Sequence, residues 1–172
     1  FENDKVVNYT GDLKTLFEIQ NQKICYDSLN EPIVRRIPIT VGFVKNVHRL
    51  LMQRCYDDCC FSDLGERPGV FRQRGYEGDG LDIGFPSEDI ELGVRYLCCL
   101  LAENRIEEKP VPPLRAASWF YLNFEIIHPF ADGNGRVGRA LLNYYLMTHD
   151  HPPVIIYEED RKDYDQALER FH

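Results

Sequence analysis

The sequence has no excess of positive charge. Its 172 residues include 20 lysines and arginines against 28 aspartates and glutamates, which gives a formal net charge of −8 at pH 7. It also lacks an apolar run long enough to span a membrane, and no signal peptide opens the chain. We therefore expect no nucleic-acid partner, no membrane association and a cytoplasmic location.

The spacing of the cysteines excludes two common cysteine-based architectures. The six cysteines stand at positions 25, 55, 59, 60, 98 and 99, and four of them form two adjacent pairs. This pattern is neither that of a small disulfide-bonded scaffold nor that of a C-x-x-C zinc knuckle. We expect reduced, mostly buried thiols rather than a metal or redox centre.

The composition fits one globular domain. It is 44% hydrophobic and 12% aromatic, without internal repeats or low-complexity tracts. The length suits a single hydrophobic core. Because the first residue is Phe1 and not methionine, we expect residues 1–172 to be a single domain excised from a longer chain.

Periodicity and capping signals predict several helices and one hairpin. Helical spacing runs over 5–22, and prolines interrupt it at 32–38. Thr40 suits the N-cap of a second helix, and Ser87 suits that of a helix ending near residue 103. Frequent glycines in 62–86 favour a loop, in which GVFRQ and LDIGF would pair around the tip YEGDG. A last amphipathic helix is expected over 160–171.

The stretch HPFADGNGRVGR at 128–139 carries most of the chemistry. Its GNGRVG segment matches the G-x-G-x-x-G fingerprint of dinucleotide-binding folds, which requires a preceding strand. The preceding residues indicate a helix instead, because Arg115, Ser118 and Glu125 fall on one helical sector and Pro113 suits a helix start. We therefore interpret the loop as a link between two helices and not as a Rossmann loop.

The glycines and arginines of this loop are suited to binding a polyphosphate. Gly133, Asn134 and Gly135 open a helix, whose unpaired N–H groups and positive dipole end attract anions. Glycines also allow a phosphate to approach the backbone closely. Arg136 and Arg139 lie one turn apart and add two cationic groups on the same face.

Asp132 and His128 add an acid and a base to these phosphate-binding residues. Beside bound phosphates, Asp132 is suited to hold Mg²⁺, and the alternative that it serves as a helix N-cap stays open. His128 precedes this phosphate-binding stretch, residues 133–139, which we call the phosphate cradle. An imidazole with an ordinary pKa of about 6.5 can accept a proton at neutral pH. Phe130 is expected to anchor the loop in the core.

At every defined position, 128–139 resembles the Fic family motif H-P-F-x-[DE]-G-N-G-R-x-x-R. A GVFR segment before the expected hairpin and an R-x-x-Y-x-x-A-L pattern from Arg161 extend the resemblance. It implies an all-α Fic fold, a bundle of about six helices with a small β-hairpin flap over the active site. It also implies a Mg²⁺-dependent protein adenylyltransferase, which transfers AMP from its co-substrate ATP to a Ser, Thr or Tyr hydroxyl of a protein substrate. Removal of AMP from the same target is a further activity that the family allows.

The resemblance implies a role for each motif residue. His128 would take the proton from the target hydroxyl, and Asp132 would bind the Mg²⁺ that bridges the phosphates. The phosphates would be held by Gly133, Asn134, Gly135, Arg136 and Arg139, the last of these at the γ-phosphate. The adenosine would lie near Asn143 and Tyr164. The target would dock on the flap at Gln73, Leu81 and Ile83.

Departures from the family pattern leave the donor open. Asp165 stands where many members have a second tyrosine, and His172 stands where many have asparagine. A Fic-fold transferase using UMP, phosphocholine or phosphate is therefore an alternative, as is a non-catalytic nucleotide-sensing module. Gly135 favours AMP over phosphate transfer, because Doc-type kinases replace this glycine.

Control by a carboxylate is a further expectation. Many Fic proteins carry an inhibitory helix with the pattern [ST]-x-x-x-E-[GN], and a glutamate that pairs with Arg139 would displace the γ-phosphate. Two partial matches, at 62–66 and 87–91, fit ordinary loop and helix chemistry better. We expect an inhibitory helix in flanking sequence or on a separate antitoxin.

Overall fold

The computed structural model describes residues 12–56, 65–78 and 81–160, together with residues 162 and 166. In these ranges the α-helices are α1 (Leu13–Val34), α2 (Val41–Leu51), α3 (Ile90–Ala102), α4 (Pro113–Ile127) and α5 (Asn134–Thr148). Two short strands, β1 (Tyr76–Gly78) and β2 (Leu81–Ile83), lie between α2 and α3. A 3₁₀-helix, Glu158–Asp160, follows α5. The expected last helix, 160–171, lies almost entirely outside the described residues.

The α4–α5 pair forms the centre of the bundle. The two helices pack against each other, α1 and α2 pack against α5, and α3 packs against α4. The apolar faces of the central pair meet in the core, where Phe120, Phe124, Val137 and Leu141 are fully buried. None of the helices in the described ranges has both the length and the apolar character needed to cross a bilayer.

Two predicted helix starts are confirmed. The hydroxyl of Thr40 accepts a hydrogen bond from the N–H of Phe43 at 3.2 Å and so caps α2. Pro113 is the first residue of α4, where its missing N–H would have had no partner within the helix. The segment before the glycine-rich loop is therefore a helix, as expected.

Two other boundaries differ from the expectation. α1 extends beyond the predicted range 5–22 and contains Pro32. Because Pro32 lies in the last turn, its ring and missing N–H affect only the end of the helix. Ser87 does not cap α3, because its hydroxyl contacts the carboxylate of Glu88 at 3.2 Å and the N-cap residue is Asp89.

The strand pairing also begins later than expected. Tyr76 pairs with Ile83 and Gly78 with Leu81 in antiparallel register, whereas GVFRQ at 69–73 is not a strand. Two backbone N–H groups of 69–73 are used elsewhere. That of Gly69 donates to Nδ1 of His48 at 2.7 Å, and that of Arg72 donates to the carbonyl of Pro129 at 3.0 Å.

The described cysteines agree with the expectation of buried thiols. Cys25, Cys55 and Cys98 are buried free thiols, and Cys99 is exposed. Burial raises the pKa of Cys25 to about 11 and that of Cys98 to about 12, which keeps both thiols protonated and unreactive at neutral pH. The other two cysteines, 59 and 60, lie outside the described residues.

Candidate functional site

A pocket opens where α4 ends and α5 begins. Its volume is about 280 Å³, and its walls are His128, Ala131, Asp132, Gly133, Asn134, Gly135, Arg136 and Arg139. The structure therefore brings together every residue of 128–139 to which the sequence assigned chemistry. His128, Asp132, Arg136 and Arg139 line one volume, although they come from a helix end, a loop and a helix.

Left-handed backbone conformations shape the pocket at both ends of the loop. His128 is the C-cap of α4 with φ 48°, so the chain turns sharply at this residue. Gly133 is the N-cap of α5 with φ 83°, and a Cβ atom there would lie 2.5 Å from Sδ of Met52. Only glycine meets both conditions at this position.

Asp132 is not the N-cap of α5, because Gly133 occupies that position. Its Oδ1 atom instead accepts a hydrogen bond from the N–H of Gly133 at 2.6 Å. Since Gly133 has no side chain to cap the helix, the N–H groups in the first turn of α5 are available to an anion. The capping alternative for Asp132 is therefore wrong, and its carboxylate remains on the wall of the pocket.

The side chain of Asn134 fixes the loop. It is only 3% exposed, and its amide donates to the carbonyl of Phe130 at 2.8 Å and accepts from the N–H of Phe130 at 2.9 Å. These two hydrogen bonds close the loop between residues 130 and 134. The side chain is therefore committed to the loop, and a phosphate would meet the backbone N–H of Asn134.

Two charged residues of α1 lie beside pocket residues of opposite charge. Glu18 lies 2.9 Å from Nη1 of Arg136, and Lys14 lies 4.0 Å from the carboxylate of Asp132. Asp132 and Arg136 are themselves 3.4 Å apart. Lys14 and Glu18 are one turn apart on α1, as Asp132 and Arg136 are at the start of α5. Helix α1 thus supplies the opposite charge to both the candidate metal ligand and the first arginine.

Arg139 connects this pocket with a second one of about 470 Å³. The walls of the second pocket include Tyr26, Tyr121, Asn143 and Val154. Asn143, predicted near the adenosine, donates to the carbonyl of Val154 at 3.0 Å and accepts from its N–H at 2.8 Å. Its amide therefore holds the segment after α5 in place. Tyr164, also predicted there, lies outside the described residues.

The predicted docking residues lie in and before the hairpin. The backbone N–H of Gln73 donates to Oε1 of Glu66 at 3.2 Å, and its side-chain amide donates to the carbonyl of Phe71 at 3.0 Å. Leu81 and Ile83 belong to β2, where they pair with β1. The expected role of these residues in target docking stays a prediction, and Asp79 of the acidic tip lies outside the described residues.

His48 contacts the loop of the site, and the sequence analysis missed it. Its Nδ1 atom accepts the N–H of Gly69 at 2.7 Å, so Nε2 carries the proton that faces the carbonyl of Asp132 at 3.1 Å. Burial lowers the pKa of His48 to about 4, which keeps the ring neutral at pH 7. The sequence feature that could have indicated it is its position on the apolar face of α2, where His48, Val44 and Val47 are all fully buried.

Glu125 is a second missed residue. Burial raises the pKa of its carboxyl to about 7, opposed by the charge of Arg139 and by a hydrogen bond with Tyr121. A Cβ atom at Gly138 would lie 2.7 Å from Cε2 of Tyr121 and 3.0 Å from Oε1 of Glu125, so glycine makes room for both side chains beside α5. The sequence placed Glu125 on the polar sector of α4 but gave no reason to expect a perturbed acid.

The glutamates of the two partial matches to the inhibitory pattern bind residues other than Arg136 and Arg139. Glu91 bonds Lys45 at 3.1 Å and Arg95 at 3.0 Å on the surface of α3. Glu66 is buried and accepts the N–H of Gln73. Both glutamates therefore have local structural roles, in agreement with the sequence analysis.

The carboxylate of Asp132 is suited to a Mg²⁺ ion that arrives bound to a nucleotide. Within the described part of the chain, no group of three or more His, Cys, Asp or Glu side chains could hold a metal on its own. Mg²⁺ commonly uses one or two carboxylates together with phosphate oxygens and water. The carboxylate of Asp132, with 47% of its side chain exposed beside the cradle, meets that requirement.

Known proteins resemble this chain in sequence and in fold. Residues 38–146 match the model of the Fic/DOC family. A protein adenylyltransferase Fic from Drosophila erecta is 30% identical over 147 residues, which are 86% of this chain and 28% of that protein. The chain thus spans less than a third of the length of this relative.

Two solved structures show the same arrangement of helices. A Fic domain containing signaling protein from Bacteroides thetaiotaomicron superposes with a TM-score of 0.79 at 20% identity, covering 95% of this chain and 60% of that one. Fic-1 from C. elegans gives a TM-score of 0.75 at 21% identity, covering 98% of this chain and 47% of that one.

Proposed function

The chain belongs to the Fic/DOC family, and on that premise we propose that it is a protein adenylyltransferase. It would transfer AMP from ATP to a Ser, Thr or Tyr hydroxyl of a protein substrate. The observation that carries the proposal is the pocket at 128–139, which His128 lines together with a helix N-terminus and two arginines. A nucleotide sensor needs the cradle alone, whereas a transferase also needs a base beside it.

The phosphate groups would bind at the start of α5. The first-turn N–H groups attract the anion, and Arg136 and Arg139 add positive charge along one side. The Gly135 side of this turn is open enough for a guanidinium, since a Cβ there would lie 3.1 Å from Nη1 of Arg139. Arg139 also lines the second pocket, so that pocket adjoins the proposed phosphate site.

Asp132 would hold Mg²⁺ on the phosphates, and the ion when bound would neutralise part of their negative charge. The ammonium of Lys14, now 4.0 Å from the same carboxylate, would then be free to face a phosphate oxygen. Two cationic groups, Lys14 and Arg136, would then lie on the α1 side of the bound anion. We therefore propose that transfer of AMP depends on Mg²⁺.

His128 would accept the proton of the attacking hydroxyl. The oxygen of the target side chain forms a bond with the α-phosphorus, the bond to the bridging oxygen breaks, and pyrophosphate leaves. The proton passes to the imidazole of His128 and from there to solvent. The hairpin β1–β2 would hold the target segment by backbone pairing along its edge.

Regulation would act on Arg139. A glutamate carboxylate from a flanking inhibitory helix or a separate antitoxin would pair with its guanidinium and exclude the γ-phosphate. Glu66 and Glu91, the glutamates of the two partial matches, are not suited to this role because both are engaged locally.

The test is incubation of the 172-residue chain with ATP labelled at the α-phosphate or, in parallel, at the γ-phosphate. Protein-bound α label with release of pyrophosphate is the expected result. Transfer of the γ label alone would replace the proposal by phosphoryl transfer. ATP binding without transfer of either label, across target-containing extracts, would indicate a nucleotide-sensing module.

A further inference from the structure

Arg72 is a buried arginine between the hairpin and the end of α4. Its side chain and backbone are only 2% exposed. Nε donates to the carbonyl of His128 at 2.7 Å, Nη1 donates to the carbonyl of Arg74 at 2.6 Å, and Nη2 donates to the carbonyl of Phe85. One planar guanidinium thus bonds the backbone of the candidate base and of both chain segments that flank the hairpin.

The backbone around His128 is held on both sides as well. The N–H of Arg72 donates to the carbonyl of Pro129 at 3.0 Å, and the N–H of Phe85 donates to the carbonyl of Ile127 at 3.1 Å. The carbonyl groups of three successive residues, 127–129, are therefore bonded to the two segments that flank the hairpin. These contacts fix the position at which the chain turns out of α4.

Gly84 allows this close approach. It has φ +87°, and a Cβ atom there would lie 2.7 Å from Nη2 of Arg72 and 2.9 Å from Cβ of His128. A side chain at this position would push the guanidinium and the histidine apart. Glycine therefore lets the hairpin base, the arginine and the histidine meet.

An arginine suits this place for two physical reasons. Its charge lies at the C-terminal end of α4, where the helix dipole is negative and a cation is stabilised. Its rigid fork fixes several acceptors in one plane, whereas a lysine ammonium is a flexible point charge that cannot reproduce that geometry. The charge is also permanent, so the contacts do not depend on pH.

We propose that Arg72 is a positioning residue for the transfer reaction. It sets the orientation of His128 by holding its carbonyl, and it links that residue to the base of the hairpin. Arg74 precedes β1 by two residues and Phe85 follows β2 by two, so a displacement of the hairpin reaches His128 through this side chain as well as through the backbone bonds to residues 127 and 129. This inference rests on the proposed function, because it assigns His128 a task that needs orientation.

Arg72→Lys tests the proposal, because it keeps the charge and removes the fork. We expect the kcat of transfer to fall about tenfold to a hundredfold, the size of effect that a misplaced catalytic group produces. The KM for ATP should stay within about twofold, because the phosphate cradle is not altered. The NMR signals of the His128 imidazole should also shift without nucleotide, which separates positioning from any failure of the transferase assignment.

A matched control is Tyr144→Phe, which removes hydrogen bonds to the carbonyls of Pro32 and Ile37 away from the pocket. It should lower stability but leave kcat and the His128 signals unchanged. A folded Arg72→Lys variant with wild-type kcat and wild-type His128 signals would overturn the proposal. So would a loss of kcat that Tyr144→Phe reproduces at equal stability.

Two further measurements apply if Arg72→Lys does not fold. Gly84→Ala should displace the guanidinium from the opposite side and give the same selective loss of kcat. In the wild-type background, His128→Asn should shift the Nε–H signal of Arg72 and the amide signals of the hairpin base. Unchanged signals in that comparison would contradict the coupling.

Discussion

The imidazole of His48 lies parallel to the ring of Phe130, with centroids 3.6 Å apart and planes 2° apart. Phe130 is fully buried, as the sequence analysis expected of a loop anchor. The same imidazole faces the carbonyl of Asp132 through Nε2. A residue of α2 therefore holds the loop at two points, by stacking and by a hydrogen bond, and so determines where the candidate metal ligand lies.

His48→Ala should loosen the loop. Loss of the stacked ring and of two hydrogen bonds is expected to lower the free energy of unfolding by about 2–4 kcal/mol. Mg²⁺-dependent transfer should fall as well, because Asp132 would lose its fixed place. Chemical denaturation and labelling with α-labelled ATP measure the two effects. His151→Ala is the control, since the bond described for the His151 side chain is to the neighbouring Pro152 carbonyl. Equal stability of the two variants would contradict this role of His48.

Glu125→Gln should change how stability depends on pH. Because the pKa of Glu125 is raised from 4.5 to about 7 in the folded protein, the folded state keeps a proton that the unfolded chain loses. Stability contributed by this group is therefore present below pH 4.5 and is lost as the pH rises to about 7, by at most about 1.4 kcal/mol per pH unit.

His48 acts in the opposite direction over part of this range. Its pKa is lowered from 6.5 to about 4, so its contribution is complete above pH 6.5 and is lost as the pH falls towards 4. The difference between wild type and Glu125→Gln removes the His48 contribution from the comparison. Unfolding curves between pH 4.5 and 7 should diverge, and parallel curves would contradict a buried, perturbed carboxyl.

Asp132→Asn should abolish the response to Mg²⁺. The amide oxygen can still accept the N–H of Gly133, so the loop should stay folded, but a neutral side chain cannot hold the ion on the phosphates. We expect transfer to fall by at least about 10²-fold in a Mg²⁺ titration. Asp150→Asn is the matched control, because Asp150 pairs only with Arg36 among the ion pairs described for it. An unchanged Mg²⁺ titration would leave Asp132 with a structural role alone.

Glu18→Gln should strengthen ATP binding. Glu18 and Arg136 form a partly buried ion pair, and a phosphate must compete with that carboxylate for the guanidinium. Removal of the charge is expected to lower the Kd for ATP about twofold to fivefold, in line with about 0.5–1 kcal/mol for such a pair. Calorimetry measures the change, and Glu31→Gln, also on α1, should leave the Kd unaltered. Weaker binding by Glu18→Gln would show that the pair helps to build the site.

The sequence predicted those features of the site that depend on neighbouring residues. The helix before the loop follows from its period and from Pro113, and the cradle follows from the glycines and arginines of 128–139. The cap at Thr40 has the same local origin. In each case the physical cause lies within one or two turns of the residue concerned.

The contacts that hold the site in place could not be predicted in this way. His48 and Asp132 are 84 residues apart in sequence, and Arg72 and His128 are 56 apart. No periodic pattern links such pairs, because they meet only after the helices have packed. The late start of β1 has the same cause, since the N–H groups before it bond His48 and Pro129 and not a second strand.

The most direct test of the account compares wild type with His128→Ala in α-label transfer and in ATP binding. The account predicts that transfer falls by about 10²–10⁴, the contribution of a general base, while the Kd for ATP stays within about twofold. The reason is that His128 lies on the pocket wall outside the first turn of α5, where the phosphates would bind. Transfer by His128→Ala at the wild-type rate, with ATP bound equally well, would contradict the account.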